Sequence, residues 1–172
     1  MVPLLRQEYL PRMTVPSHPW ASVIVPIKDE RDNLVPLIEG LLTVMNSHAA
    51  SQTRPFEIIF VDDGSSDGSS EALDRLAAQH RQVRVFHFDR NYGKTCALDA
   101  GFSRSSGELI IGIDSDLQQD SEDILKLLPY TATYDLVCRW RQQRQDGLVK
   151  KMSSRIGYHA HPALHARLAS RA

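Results

Sequence analysis

The segment ELIIGIDSDLQ, residues 108–118, decides the fold of this chain. Its first half is apolar and rich in β-branched residues, which is typical of a buried strand. Asp114 and Asp116 follow that strand, and Gln118 comes shortly after them. Ligands of open α/β sheets bind beyond the carboxyl ends of the strands, and Mg²⁺ is held by carboxylates together with substrate phosphates. The motif therefore predicts a metal–diphosphate site, although acids at a helix start would produce the same pattern.

Two upstream segments have the same design, in which an apolar strand ends in a polar loop that opens a helix. Val23–Val25 form the first strand, and Pro26 lacks the N–H that a sheet ladder needs, so we expect this strand to end or to lie at an edge there. Residues 56–68, FEIIFVDDGSSDG, form the second. Asp62 and Asp63 lie where this second strand ends. Acids at these positions are also explained by the preference of Asp for turns, without any role in binding.

Strands and helices alternate along the rest of the chain. Residues 83–88 are predicted to be a fourth strand, residues 94–103 a helix, residues 122–128 a helix stopped by Pro129, and residues 134–138 a further strand. Such alternation predicts an α/β fold with a mostly parallel central sheet and helices on both faces. Apolar residues at helical spacing predict two more helices, after the first and second strands: Leu34, Leu37, Ile38, Leu41, Leu42 and Met45 in one, and Leu73, Leu76 and Ala77 in the other.

The chain is expected to divide into three parts. Residues 1–20 include four prolines and predict an extended arm, residues 21–157 form one globular domain, and residues 158–172 form an irregular tail. The sequence pattern of the domain disappears after Gly157. We therefore expect a truncated or frame-altered product, or an isolated catalytic domain.

Composition excludes several classes of protein. The 172 residues have a formal net charge of −1, so the chain lacks the basic footprint of a nucleic-acid-binding protein. Cys96 and Cys138 lie far apart and are expected to be free thiols in a reducing compartment. No apolar run reaches the roughly 18 residues of a membrane span, and no secretory signal is evident. We therefore expect a cytoplasmic protein.

Together the three loops resemble the inverting glycosyltransferases of family 2, which have the GT-A fold. VPIKDE at 25–30 is similar to the family's V-P-x-x-N-E, with Asp29 in place of the usual Asn. VDDGSSDG at 61–68 is similar to V-D-D-G-S-x-D-G, and DSD at 114–116 to the D-x-D metal motif. RNYGK at 90–94 is similar to the family's R-N-x-G-K segment. DLQQDSE at 116–122, with Ser121 in place of Pro, resembles the D-L-Q-x-x-P-E of the polyprenyl-phosphate branch.

The resemblance implies an enzyme that moves a sugar from a UDP- or GDP-sugar to a polyprenyl phosphate with Mg²⁺ or Mn²⁺. It implies that Asp114 and Asp116 are catalytic and that they hold the metal with Gln118. For Glu30 and Lys94 the alternative to a binding role is a solvated charged side chain at the start of a helix. The implied donor-binding residues are Pro26, Glu30, Asp62, Asp63, Lys94 and Asp114.

The basic segment from residue 139 to residue 155 resembles a segment of the polyprenyl-phosphate branch, and the resemblance implies that it lies near the acceptor and the membrane. Arg141 and Arg144 are candidate ligands of the acceptor phosphate because guanidinium groups bind phosphate oxygens bidentately, although a solvated basic loop would look the same. Basic side chains near an anionic bilayer favour salt-sensitive binding. We therefore expect peripheral contact with the cytoplasmic face of the membrane.

Two other functions remain open. A non-catalytic nucleotide-sugar-binding fragment would use the same loops without turnover. A sugar nucleotidyltransferase would carry a glycine-rich phosphate loop after the first strand, and residues 27–30 contain no glycine.

Overall fold

The computed structural model describes residues 5–9, 18–117 and 121–138. The chain divides into two units, Met1–Val137 and Cys138–Ala172, and every helix and strand of the described ranges lies in the first.

A five-stranded sheet forms the centre of the first unit. Its strands are β1 (Leu5–Tyr9), β2 (Ala21–Ile27), β3 (Glu57–Asp62), β4 (Val83–Phe88) and β5 (Leu109–Gly112), in the spatial order β1-β4-β3-β2-β5. Neighbours among β4, β3, β2 and β5 are parallel, whereas β1 runs antiparallel to β4. The predicted mostly parallel sheet is confirmed. Residues 5–9, expected only to be extended, pair with the sheet as a strand.

Helices cover both faces of the sheet, as predicted. They are α1 (Leu34–Ser47), α2 (Ser69–Gln79), α3 (Lys94–Arg104) and α4 (Asp123–Leu127), with 3₁₀-helices at Arg31–Asn33, Ala49–Gln52 and Leu128–Ala132. Leu41 of α1 and Leu73 of α2 pack with Phe60 in the larger core cluster. Ala97 of α3 packs with Ile24 and other residues of the opposite sheet face. α1 and α2 therefore lie on one face and α3 on the other.

Gly101 lets α3 approach the sheet closely. A Cβ at this position would lie 2.3 Å from Cγ2 of Ile24 and 3.5 Å from Cγ2 of Val61. Real Cβ atoms do not approach other carbons at the first distance, so any larger residue would push the helix away from β2.

A buried carboxylate joins the strands at the amino end of the sheet, away from the loops that end them. Glu57 accepts hydrogen bonds from Ser22 Oγ (2.7 Å), from the Ser106 N–H (2.8 Å) and from Arg84 Nη1 (2.7 Å). Burial by itself raises the pKa of Glu57, but these hydrogen bonds outweigh it and lower the pKa. The charge is thus stabilised in the interior by the partners that buried charges require.

The structure corrects the expectation for Pro26. This residue lies within β2, which is an inner strand between β3 and β5. Ile24 accepts a hydrogen bond from the Ile113 N–H, so Ile24 and Pro26 both face β5. The ladder with β5 ends at the Ile24–Gly112 pair. The missing N–H of Pro26 therefore removes no hydrogen bond, and the strand continues.

Two other local predictions were wrong. β5 is not buried, because it lies at the edge of the described sheet, and Ile110 is 46% exposed. Residues 134–138 form no strand: Leu136 is 81% exposed, and the described sheet ends at β5 without pairing to this segment. The helix predicted over residues 122–128 is present as α4, one residue shorter at each end, and Pro129 lies in the 3₁₀-helix that follows.

The strand order creates a crevice between β2 and β5. The chain builds β2, β3 and β4 outward in one direction, and α3 then returns it across the sheet to place β5 on the other side of β2. Ligands of open α/β sheets bind at such a reversal, beyond the carboxyl ends of the strands. The crevice lies beyond Ile27, where β2 ends, and beside Asp114, which follows β5.

Candidate active site

A cavity of about 350 Å³ lies at the carboxyl ends of β2 and β5. Its lining combines four acidic side chains with two lysines, so both a cation and an anion bound there would meet side chains of opposite charge. The lining residues are Pro26, Ile27, Lys28, Glu30, Asp63, Asn91, Gly93, Lys94, Asp114, Ser115 and Asp116.

Hydrogen bonds join the loop after β2 to the loop after β3. The Asp29 N–H donates to Ser65 Oγ (3.0 Å), and Asp29 Oδ1 accepts from the Ser66 N–H (2.7 Å). The Glu30 N–H donates to Ser69 Oγ (3.1 Å). Asp29 has a φ of 53°, in the left-handed region that Asn and Asp tolerate best among residues with a Cβ. The Asp–Asn exchange noted in the sequence therefore preserves the backbone here.

Asp63 holds the next loop in place. Its buried carboxylate accepts hydrogen bonds from the Tyr92 N–H (2.6 Å) and the Gly93 N–H (2.9 Å). These two amides immediately precede α3, whose first residue is Lys94. Asp63 thereby positions the helix start that brings Lys94 into the cavity.

Gly64 allows the loops after β3 and β4 to meet. It has a φ of 67°, and a Cβ there would lie 2.4 Å from the carbonyl carbon of Arg90. Only glycine fits both the backbone angle and the contact, so the glycine of the VDDG segment is a structural requirement of the site.

Lys94 and Asp114 form an ion pair across the cavity. Lys94 Nζ lies 2.5 Å from Asp114 Oδ1, and the two side chains are 56% and 27% exposed. Asp116 is half-buried in the same wall. Leu117, the next residue, has a φ of 54°, which is unfavourable for leucine. Such backbone strain concentrates at functional sites.

Asp62 points away from the cavity. Its carboxylate accepts from the Ser65 N–H (2.9 Å) and Ser70 Oγ (2.5 Å) and lies 2.8 Å from His87 Nδ1. The other ring nitrogen of His87 lies 3.1 Å from Asp74 Oδ1 on α2. Successive strand residues alternate between sheet faces, so Asp62 shares the face of α1 and α2, whereas Asp63 shares the face of α3.

Both members of the Asp62–His87 pair are stabilised in their charged forms. Burial raises the pKa of Asp62, but hydrogen bonds from His87, Ser65 and Ser70 outweigh it and lower the pKa to about 2. Burial lowers the pKa of His87, but its contacts with Asp62 and Asp74 outweigh it and raise the pKa above 6.5. The pair is therefore an ion pair inside the fold whenever His87 is protonated.

A protein-family comparison agrees with this geometry. The model described as Glycosyl transferase family 2 matches residues 22–168. The chain belongs to glycosyl transferase family 2.

The curated relatives of this family 2 chain include two enzymes named undecaprenyl-phosphate 4-deoxy-4-formamido-L-arabinose transferase. The protein from Pectobacterium carotovorum subsp. carotovorum (strain PC1) is 39% identical over 136 residues, covering 78% of this chain and 40% of its own length. The protein from Serratia proteamaculans (strain 568) is 41% identical over 138 residues, covering 78% of this chain and 41% of its own length. The chain therefore spans about 40% of the length of these relatives.

A solved structure confirms the predicted GT-A fold. Residues 1–349 of TarS from S. aureus superpose with a TM-score of 0.52 at 20% identity, covering 72% of this chain and 38% of that one. A mannosyltransferase from Pyrobaculum calidifontis, solved with GDP-Man and Mn²⁺, is 28% identical over 64% of this chain and 32% of its own. Its TM-score is 0.49.

The cavity brings together most of the residues that the family 2 motifs single out. Pro26, Glu30, Asp63, Lys94, Asp114 and Asp116 all line it. Asp62 does not line it. Gln118, Arg141 and Arg144 lie outside the described residues.

Sequence reasoning missed several lining residues. Lys28 donates to Gly64 O (3.2 Å) and pairs with Asp29 Oδ2 (2.5 Å), which places its ammonium group at the cavity edge. Asn91, Gly93 and Ser115 were visible in the quoted motifs, but nothing in their spacing assigned them to a site. Ile27, a buried strand residue, gave no signal.

The chemistry of the side chains fits a divalent metal. Asp114 and Asp116 supply hard carboxylate oxygens in one wall, and Lys94 already places a cation against the first of them. Within the described ranges, no group of three or more His, Cys, Asp or Glu residues forms a complete ligand set. Mg²⁺ commonly uses one or two carboxylates and completes its shell with water and substrate phosphates.

None of the helices in the described ranges has both the length and the apolar composition that crossing a bilayer requires.

Proposed function

We propose that this chain holds the donor site of an inverting glycosyltransferase that moves a sugar from a nucleoside diphosphate to a polyprenyl phosphate. The cavity at the β2–β5 crevice is the observation that carries the proposal, because it joins two acids of a metal motif to a lysine and to acids at the ends of β2 and β3. Membership of family 2 and relatives named as undecaprenyl-phosphate sugar transferases support the same reaction class.

The nucleoside binds at the ends of β2 and β3 in this proposal. Glu30 and Asp63 line the cavity there and can accept hydrogen bonds from ribose hydroxyls or a base N–H, with Pro26 as an apolar wall. Asp62 would have to leave three partners to reach a nucleoside, so we assign it to supporting β3 and the loop after it.

The diphosphate binds between Lys94 and the DSD motif. Asp114 and Asp116, together with Gln118 on sequence grounds, would hold Mg²⁺ or Mn²⁺. When bound, the metal neutralises charge that develops on the leaving diphosphate. Lys94 provides a second positive charge at the same wall.

Sugar transfer then requires one displacement. An oxygen of the acceptor phosphate attacks the anomeric carbon, the bond from that carbon to the diphosphate oxygen breaks, and the nucleoside diphosphate leaves with the bonding electrons. The acceptor is already an anion, so no general base has to remove a proton from it, unlike a neutral hydroxyl. Arg141 and Arg144 are proposed to bind the acceptor phosphate.

A donor panel tests the cavity assignment. Isothermal titration with UDP, GDP, CDP and their sugars, in Mg²⁺, in Mn²⁺ and in EDTA, should show metal-enhanced binding of one nucleotide. Equal affinity of every nucleotide in metal and in EDTA would contradict the metal role. Failure of all of them to bind would refute the donor site.

A lipid-linked assay separates transfer from binding alone. The donor identified in the panel is incubated with undecaprenyl phosphate in detergent, and the sugar-linked lipid is measured. A non-catalytic nucleotide-sugar-binding role uses the same cavity and predicts binding without product.

The proposed reaction joins a water-soluble donor to a lipid-bound acceptor and so takes place at a membrane surface. We propose peripheral contact at the cytoplasmic face through the basic segment, with each Lys or Arg near an anionic bilayer contributing about 1 kcal/mol. Co-sedimentation with vesicles of anionic and of neutral lipid at low and high salt measures this contact. Salt-insensitive binding would refute an electrostatic origin.

A further inference from the structure

Lys94 neutralises the first acid of the metal motif by direct contact. Its Nζ lies 2.5 Å from Asp114 Oδ1, within a cavity that Asp116 also lines. Lys94 comes from the start of α3, whereas Asp114 follows β5, so this ion pair joins two separate elements.

We propose that Lys94 is an internal counter-cation that exchanges partners when the site is loaded. Without metal it neutralises Asp114. When a divalent cation binds, Asp114 turns to the metal, and the ammonium group of Lys94 turns to the diphosphate of the donor. The inference rests on the proposed donor site and adds to it a residue that opposes metal binding alone but supports metal binding with a nucleotide.

The surroundings of the pair favour such an exchange. The Lys94 side chain is 56% exposed, and exposed ion pairs are weakly held, so breaking this one costs little. The backbone just before Lys94 is fixed, because Asp63 accepts from the amides of Tyr92 and Gly93. The side chain can therefore change partner while the helix start stays in place.

Lys28, the other lysine of the cavity, is not suited to this role. Its ammonium group donates to the carbonyl of Gly64 (3.2 Å) and pairs with Asp29 (2.5 Å), so it is held within the joined loops. Asp29 in turn accepts from the Ser66 N–H. Moving Lys28 would disturb the link between the loops after β2 and β3, whereas moving Lys94 disturbs one exposed pair.

Opposite effects on two ligands test the proposal. K94M keeps an unbranched side chain one atom shorter than that of lysine and removes the charge. By titration calorimetry and Mn²⁺ electron paramagnetic resonance without nucleotide, we expect K94M to bind Mn²⁺ about fivefold more tightly, since the competing exposed pair is lost. With Mn²⁺ saturating, we expect UDP or GDP to bind about tenfold more weakly, since a charged hydrogen-bond donor to phosphate is lost.

Two further variants provide the controls. K126M removes another exposed lysine that pairs with an aspartate. The Lys126 side chain is 68% exposed, and its Nζ lies 2.8 Å from Asp123 Oδ1 on α4. This variant should leave both affinities unchanged. K94R keeps the charge and should bind Mn²⁺ like the wild type. Far-UV circular dichroism establishes that each variant is folded before titration.

The outcomes distinguish this inference from the proposed function. Unchanged or weaker Mn²⁺ binding by folded K94M overturns the proposal that Lys94 is a counter-cation. If K94M loses affinity for both Mn²⁺ and the nucleotide, Lys94 has a structural role instead. If the wild type binds Mn²⁺ but neither nucleotide, the proposed donor site fails, and the Mn²⁺ comparison alone still decides whether Lys94 competes with the metal.

Discussion

Replacing Asp62 by Asn should destabilise the fold although Asp62 does not line the cavity. Three donor-bearing groups converge on its carboxylate: the Ser65 N–H, Ser70 Oγ and protonated His87. Asn has nearly the same shape but offers one acceptor oxygen and no charge. Its amide N–H₂ would face another donor, and His87 would lose one of its two anionic partners in the interior.

The magnitude follows from the pKa of Asp62. The pKa is lowered from 3.8 to about 2 in the folded protein, with a side chain that is 1% exposed. A tenfold change in proton affinity corresponds to about 1.4 kcal/mol, so ionised Asp62 stabilises the fold by about 2 kcal/mol at neutral pH. The D62N variant should lose about this amount of unfolding free energy.

The directions of the two pKa shifts determine how the stability lost in D62N changes with pH. The lowered pKa of Asp62 contributes stability that is present above its unfolded value of 3.8 and is lost as the pH falls through about 2. The raised pKa of His87 contributes stability that is fully present below 6.5 and is lost as the pH rises through the folded pKa. The difference between wild type and D62N should therefore be larger at pH 6 than at pH 9.

Urea unfolding followed by far-UV circular dichroism at the two pH values measures both quantities. D89N makes the same chemical change at an exposed position just after β4 and should alter stability by less than about 0.5 kcal/mol. A D62N variant as stable as D89N at pH 6 would refute the reasoning, as would a difference that grows toward pH 9.

Three further predictions concern the cavity and the packing of α3. Asp116→Ala should abolish the metal enhancement of UDP or GDP binding while changing the unfolding free energy by no more than about 0.5 kcal/mol, since the residue is half-buried at a loop; a retained difference between Mg²⁺ and EDTA titrations would exclude Asp116 as a ligand. Glu30→Gln should weaken nucleotide binding about tenfold in EDTA as well as in Mg²⁺, because it removes a charged acceptor for the nucleoside, and a loss confined to Mg²⁺ would assign Glu30 to the metal instead. Gly101→Ala places a Cβ 2.3 Å from Ile24 Cγ2 and should cost about 1 kcal/mol of unfolding free energy, since overpacking outweighs the gain in helix propensity. Urea unfolding compares this variant with Gly112→Ala, where nothing lies within 4 Å of the added Cβ. Equal stability of the two variants would show that α3 tolerates the methyl group.

The sequence predicted the elements of the fold well wherever the signal was local. Apolar spacing located α1, because Leu34, Leu37, Ile38 and Leu41 must share one buried face of a helix. It failed for residues 134–138, because an apolar run becomes a strand only if a neighbouring strand pairs with it. Pro26 misled for the same reason: its missing N–H matters only on a side where a ladder continues.

The motifs also predicted six of the residues that line the cavity, but they did not distinguish two adjacent residues that take opposite faces of the sheet. Asp62 and Asp63 are the same residue type, and both lie where the apolar strand pattern of the VDDG segment ends. Alternation along β3 indicates that they diverge, but which of them faces the cavity depends on α3 crossing the sheet to the side of Asp63.

By itself the sequence determined β2 to β5, the helices and the acidic loops between them, because hydrophobic period, turn residues and strand-end acids act over a few neighbouring positions. Only the tertiary structure decided that β5 lies beside β2 and that Lys94 meets Asp114 across the resulting crevice. Strand order and side-chain pairing join residues 20 or more positions apart, and their energies depend on distance in space rather than on spacing along the chain.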